Sequence, residues 1–178
     1  MDRALVTLIA FSTSISMGCE LGGGGSRQST PQETAQGFQE AASALDWTRA
    51  LGYMTQKGKA NMVGAAYYTA AYGAQINHSL QLEFGQIAVK YGLDDKDADW
   101  READNLTEIF VELVDWMEQK LSVDHGRNTF IDAGADLAAT VFSEFEIDGD
   151  RASVTMTSPT RTQSARFVKI DGLWYMDN

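Results

Sequence analysis

Three side chains just ahead of the C-terminal strand-like segment could act as acids or bases: His125, Asp132 and Asp136. In a concave pocket, a carboxylate or imidazole with a displaced pKa can move a proton in an isomerase- or hydratase-type reaction. His125 also follows Asp124 and precedes Gly126, so a cation beside a helix C-terminus is the competing structural role. His78, the other histidine, follows Asn77 at an expected helix start. Asp95, Asp97 and Asp99 fit the first, third and fifth places of an EF-hand count. Trp100 then stands where that loop needs Gly, and Leu106 where it needs Glu, so the segment reads as a solvated acidic loop. Ser122, Asp124 and His125 are too close in sequence to imply a hydrolase triad, which geometry has to establish. No nucleophile-elbow, P-loop or dinucleotide fingerprint occurs. No metal and no cofactor is expected. The aromatic residues Trp47, Tyr68, Tyr72 and Trp116 would be core or, around a cavity, apolar walls with polar tips.

Charge narrows the partners. Against 14 Lys and Arg stand 25 Asp and Glu, for a net charge of −11. Nucleic acid and anionic membrane surfaces are therefore poor partners. The 178 residues suit one domain with a substantial core. A single cysteine, Cys19, excludes an internal disulfide and a cysteine zinc site.

Residues 4–15 form an apolar and small-residue run, too short to span a bilayer, preceded by Arg3. The run ends at Ser16-Met17-Gly18-Cys19, which resembles a bacterial lipobox. Gly18 and Cys19 match that motif; Ser16 departs from its usual Leu. The resemblance implies that residues 1–18 are a signal peptide and that Cys19 is lipidated. Residues 19–29, with Gly22–Gly25 and Ser26, would tether a domain of residues 30–178. The chain would then be anchored in the bacterial cell envelope through an acyl group, facing the periplasm or exterior. Plain secretion after cleavage near Gly18, or an N-terminal core helix with a buried thiol, are the alternatives.

The elements that must position these groups follow from periodicity. Thr30-Pro31-Gln32-Glu33 is a capped helix start, continued by Ala35, Phe38, Ala42 and Leu45. Asp46 caps a second helix from Trp47 to about Met54. Residues 58–75 are helical with a break near Gly73. Asn77 caps a helix that stops at Gly92. Asn105 and Glu108 cap the most amphipathic helix, carrying Leu106, Ile109, Phe110, Leu113, Met117 and Leu121. From Val141 the period becomes two. A turn at Asp148-Gly149 sets Glu146 opposite Arg151, Phe145 opposite Ala152 and Val141 opposite Met156. Ser158-Pro159 turns into a strand over 161–170. Asp171-Gly172 then sets Val168 against Tyr175 and Phe167 against Met176. Helices followed by an antiparallel meander of about four strands indicate an α+β fold.

The closing segment from Phe167 through Lys169 and Trp174 to Asp177 resembles the final hairpin of small NTF2-like (SnoaL-like, cystatin-like α+β) envelope proteins. The Thr30–Ala35 helix start, Phe38 and Asp46-Trp47 are similar too. The resemblance implies a curved sheet wrapping helices, often around a cone-shaped cavity; residues 77–122 depart from the family's strand or hairpin there and read as a helical insertion. The expectation is a non-catalytic protein that binds a small apolar ligand or another envelope protein. Two rivals stand beside it. One is the acid–base enzyme of His125, Asp132 and Asp136. The other is an interaction module that dimerises or docks through the face shared by Phe167, Lys169, Trp174 and Met176.

Overall fold

The computed structural model describes residues 28–94, 99–121 and 129–177. Cys19 and the expected tether up to Arg27, His125, and Asp95 and Asp97 of the acidic segment lie outside them, while Gln28 at the end of that tether is buried and bonded to Trp174. The fold is α+β: helices first, then a four-stranded antiparallel sheet in the order β1-β2-β3-β4.

Helix α1 spans Pro31–Ser43. Thr30 is extended at its start, and its Oγ1 accepts from Glu33 N–H at 3.1 Å. The Glu33 carboxylate closes back on Ser29, accepting from its backbone N–H and hydroxyl, rather than on Thr30. Ala35, Phe38 and Ala42 are buried as expected, but Leu45 is not. The helix has ended by then, and Leu45 takes the left-handed conformation (φ 58°) that reverses the chain. Asp46 N–H donates to Ala41 C=O and Leu45 N–H to Ala42 C=O, which satisfies the last carbonyls.

Helix α2, Trp47–Leu51, is capped by Asp46 and is shorter than expected. After it, Tyr53 to Thr55 run parallel to the last strand. Met176 N–H donates to Tyr53 C=O, and Thr55 N–H donates to Met176 C=O, each at 2.9 Å. Thr55 then caps helix α3, Gln56–Ala74. This helix runs unbroken, with Gly73 inside its last turn. Its small buried face (Ala60, Val63, Ala66, Ala70) lies against α5. Helix α4, His78–Tyr91, is capped by Asn77 and stops at left-handed Gly92.

A short 3-10 turn, Trp100–Glu102, precedes helix α5, Leu106–Lys120, the central rod of the core. Its stripe is buried as the periodicity requires. Asn105 makes no side-chain cap, and Glu108 accepts from the Tyr91 hydroxyl instead. Helix α6, Thr129–Ala138, has no counterpart in the sequence reading.

The strands are β1 Val141–Asp148, β2 Arg151–Thr157, β3 Thr162–Ile170 and β4 Leu173–Met176. The β3–β4 register is the expected one. The β1–β2 register is not. Asp148 faces Arg151, Ile147 faces Ala152, and Val141 faces Thr157. The turn residues are Gly149 and Asp150, and a bulge sets Glu144 (φ 54°) and Phe145 against Val154. An extra residue in one strand shifts the register and bends the sheet. Val141 therefore points away from the core, and Phe142 takes its place opposite Met156.

Helices α4 and α5 are clasped by charge. Lys90 pairs with Glu112 at 2.6 Å, and Lys120 with Glu83 at 2.9 Å. Hydrogen bonding to Lys120 holds the Glu83 carboxyl below its usual range. Burial pushes Glu112 up, but Lys90 and the Tyr91 hydroxyl outweigh it and the net shift is downward. Burial, then the hydrogen bond to Glu112, push Tyr91 up to about 12. Depressed carboxyls stabilise the fold above their unfolded value and lose that contribution as pH falls through the folded one. A raised phenol contributes fully below its unfolded value of 10.0 and loses it as pH rises towards about 12. Stability should therefore fall at both ends. Denaturation midpoints across pH 9–12 should decline less in Tyr91→Phe than in the natural chain.

Candidate functional site

The inner face of the sheet does not close completely against the helices. A cleft of about 450 Å³ remains between α1, α2 and α6 on one side and β2, β3 and β4 on the other. Phe38, Trp47 and Met62 line it from α1, α2 and α3, Met54 from the segment after α2, and Met156 and Met176 from the sheet. Polar groups at the rim are Asp132 and Asp136 from the α6 side and Ser158, Arg161 and Gln163 from the β2–β3 side, and Thr140 lines the cleft as a buried residue. Its volume falls within the usual range for small-molecule sites, which are apolar with few polar groups.

Local sequence places part of the site. Trp47 is the first residue after the Asp46 cap, and its buried indole meets Phe110 edge-on at 5.5 Å. Asp132 and Asp136 lie one turn apart on α6 and face the same way. Helix α6 is held by α1. Gln39 Nε2 donates to Leu137 C=O at 2.6 Å and Thr140 C=O at 2.7 Å, which caps the end of α6. Gly134 lets α6 approach the Ala42 carbonyl of α1. The opposite rim is a tight turn. Ser158 Oγ accepts from the N–H groups of Thr160 and Arg161, and Thr160 Oγ1 donates to Asp136 Oδ2 at 3.3 Å.

Gln39 is thus a positioning residue for the cleft. Gln39→Ala removes the side-chain donor from Thr140 C=O and leaves Leu137 C=O only the Thr140 backbone N–H, at a cost of about 1–3 kcal/mol. Chemical denaturation of the variant should show that loss, and hydrogen exchange should show faster opening of α6 than of α5.

Three of the expected site residues come together here: Asp132, Asp136 and Trp47. Tyr68 and Tyr72 do not. They lie on the outer face of α3, 73% and 71% exposed, because the alanines take the inner face. Tyr68 borders a separate shallow groove with Trp100 and Arg101. Trp116 is buried elsewhere, tilted against Phe84 at 5.7 Å between α4 and α5. His78 is exposed at the start of α4. The expected docking face is also corrected. Phe167, Lys169, Trp174 and Met176 do share a face, but Phe167, Trp174 and Met176 are buried in the core, and only Lys169 reaches solvent. An inner sheet face this apolar packs on the helices rather than waiting for a partner.

No spacing in the sequence marks Met54, Met62 and Met156 as a lining, and Met176, expected on a docking face, lines the cleft instead. Four of the chain's seven methionines line it. Their scatter over α2–α3, β2 and β4 hid the cluster, and only the seven-methionine total hinted at a soft, adaptable lining. Among the described residues no three His, Cys, Asp or Glu side chains converge as metal ligands, and no helix is long and apolar enough to cross a membrane. Comparison with known proteins finds no matching family model, no similar curated protein and no similar solved structure.

Proposed function

We propose that this chain is a non-catalytic envelope protein, lipid-anchored at Cys19, whose domain holds a small apolar molecule in the cleft beneath α6. One observation carries the ligand reading: a 450 Å³ cleft with methionine and aromatic walls and its charged side chains, Asp132, Asp136 and Arg161, at exposed or half-buried positions. Such a site removes an apolar body from water and leaves any polar end at the rim. The lipobox-like Ser16-Met17-Gly18-Cys19 and the glycine-rich stretch after it support the anchor. A binding domain on a flexible tether can sample the space above a membrane without leaving it.

Two experiments test the two halves. Native mass spectrometry of the full chain released from lipid nanodiscs should show a bound small molecule. Met62→Glu, which places a carboxylate in the half-buried wall, should lose it. A clean unliganded mass, with no response of Trp47 fluorescence to apolar probes, overturns the ligand reading. Metabolic labelling with an alkyne fatty acid should mark the natural chain and not Cys19→Ser. An unlabelled natural chain overturns the anchor.

A further inference from the structure

We propose that the occupant of the cleft is a small organic cation, an amine or quaternary ammonium carried on an apolar body. This rests on reading the cleft as a ligand site and names the class of ligand it takes.

The rim carries the argument. Asp132 and Asp136 present two carboxylates from one face of α6, and Arg161 is the single cationic side chain among the residues lining the cleft. The mouth therefore carries a net negative charge. Neither carboxylate joins a salt bridge among the described residues. The Asp136 carboxylate accepts from the Thr160 hydroxyl, and the residue is half-buried. Asp132 sits in the first turn of α6, where the helix dipole alone would favour an acid. Asp136 lies a turn further on, beyond the reach of that effect, and still faces the opening.

The walls suit the same ligand. Thioether sulfurs of Met54, Met62, Met156 and Met176 are polarizable and adapt to irregular shapes. Alkylammonium groups are weakly hydrated and accept polarizable or aromatic neighbours in place of hydrogen-bonding partners. An apolar anion would meet the carboxylates with only Arg161 to offset them, and a neutral molecule would gain nothing from the rim.

The test uses three probes that share an eight-carbon body: octyltrimethylammonium, 1-octanol and octanoate. Each is titrated into the full chain by calorimetry. The ammonium should bind about fivefold more tightly than octanol, the scale of one partly screened charge. Octanoate should bind most weakly. Added salt should shrink the difference. Asp132→Asn with Asp136→Asn should erase the preference while octanol binding persists, which also shows the variant is folded. Arg161→Gln should tighten the ammonium further. Equal affinity for ammonium and octanol, or a preference that survives the double Asn variant, overturns the cation and leaves the apolar site standing. Failure of all three probes to bind overturns the site itself.

Discussion

Phe110→Ala should destabilise the domain by about 3–5 kcal/mol, the range for emptying a buried phenylalanine site. Phe110 is 0% exposed, at the centre of the α5 stripe. Its ring supports Trp47 edge-on at 5.5 Å, and such pairs contribute about 0.5–1.5 kcal/mol beyond the area they bury. A domain of this size is typically stable by only about 5–15 kcal/mol, so the variant would stand close to unfolding. The neighbours cannot collapse into the gap cheaply. Leu106, Ile109 and Leu113 share the helix backbone and are themselves fully packed. Urea denaturation should show a lowered midpoint at unchanged slope, and Phe110→Leu should recover most of the loss. Trp47 also walls the cleft, so ligand affinity should fall in Phe110→Ala even where the chain remains folded. A loss below about 1 kcal/mol would mean that the α2–α5 contact is not the packed centre described.

Gly134→Val should cost about 2–3 kcal/mol, the upper range for overpacking. A Cβ at Gly134 would lie 2.9 Å from the Ala42 carbonyl oxygen and 2.9 Å from Leu45 Cδ2. The carbonyl belongs to α1 and cannot swing aside, so α6 has to move. Replacing a helical glycine ordinarily helps by up to about 1 kcal/mol, and here the contact reverses the sign. Movement of α6 carries Asp132 and Asp136 away from the methionine walls. Affinity for octyltrimethylammonium should therefore fall along with stability, by about tenfold for a rim displaced by an ångström or more. Gly85 gives the control. A Cβ there meets nothing within 4 Å, so Gly85→Ala should be neutral or stabilising by the helix propensity alone.

The parts of the fold that were legible are those governed by neighbours in sequence. Thr30, Asp46 and Asn77 accept from backbone N–H groups three residues on, as their side-chain chemistry requires. The α5 stripe is buried because its 3.6-residue period leaves it nowhere else to go. The β3–β4 register follows from left-handed Asp171 and Gly172 and four paired residues. The first hairpin was misread for a physical reason. A bulge costs one residue of register and leaves no mark in an alternating pattern, so Val141 and Phe142 exchanged faces.

The candidate site was legible in its carboxylates and not in its walls. Asp132 and Asp136 stand out by type and spacing, and Trp47 by its cap. Tyr68 and Tyr72 were as conspicuous, yet the alanine-rich side of α3 packs more closely on α5 and turns the tyrosines outward. Composition, charge balance, helix ends and the α+β order were determined by the sequence alone, since each depends on local chemistry or on sums along the chain. Which methionines meet, which face of the sheet is covered, and that α6 stands off far enough to leave a cleft were decided only by the tertiary structure. Those outcomes depend on how closely two backbones approach, here through Gly134 against Ala42 and Gly58 against Met176, and no single segment encodes both sides of such a contact.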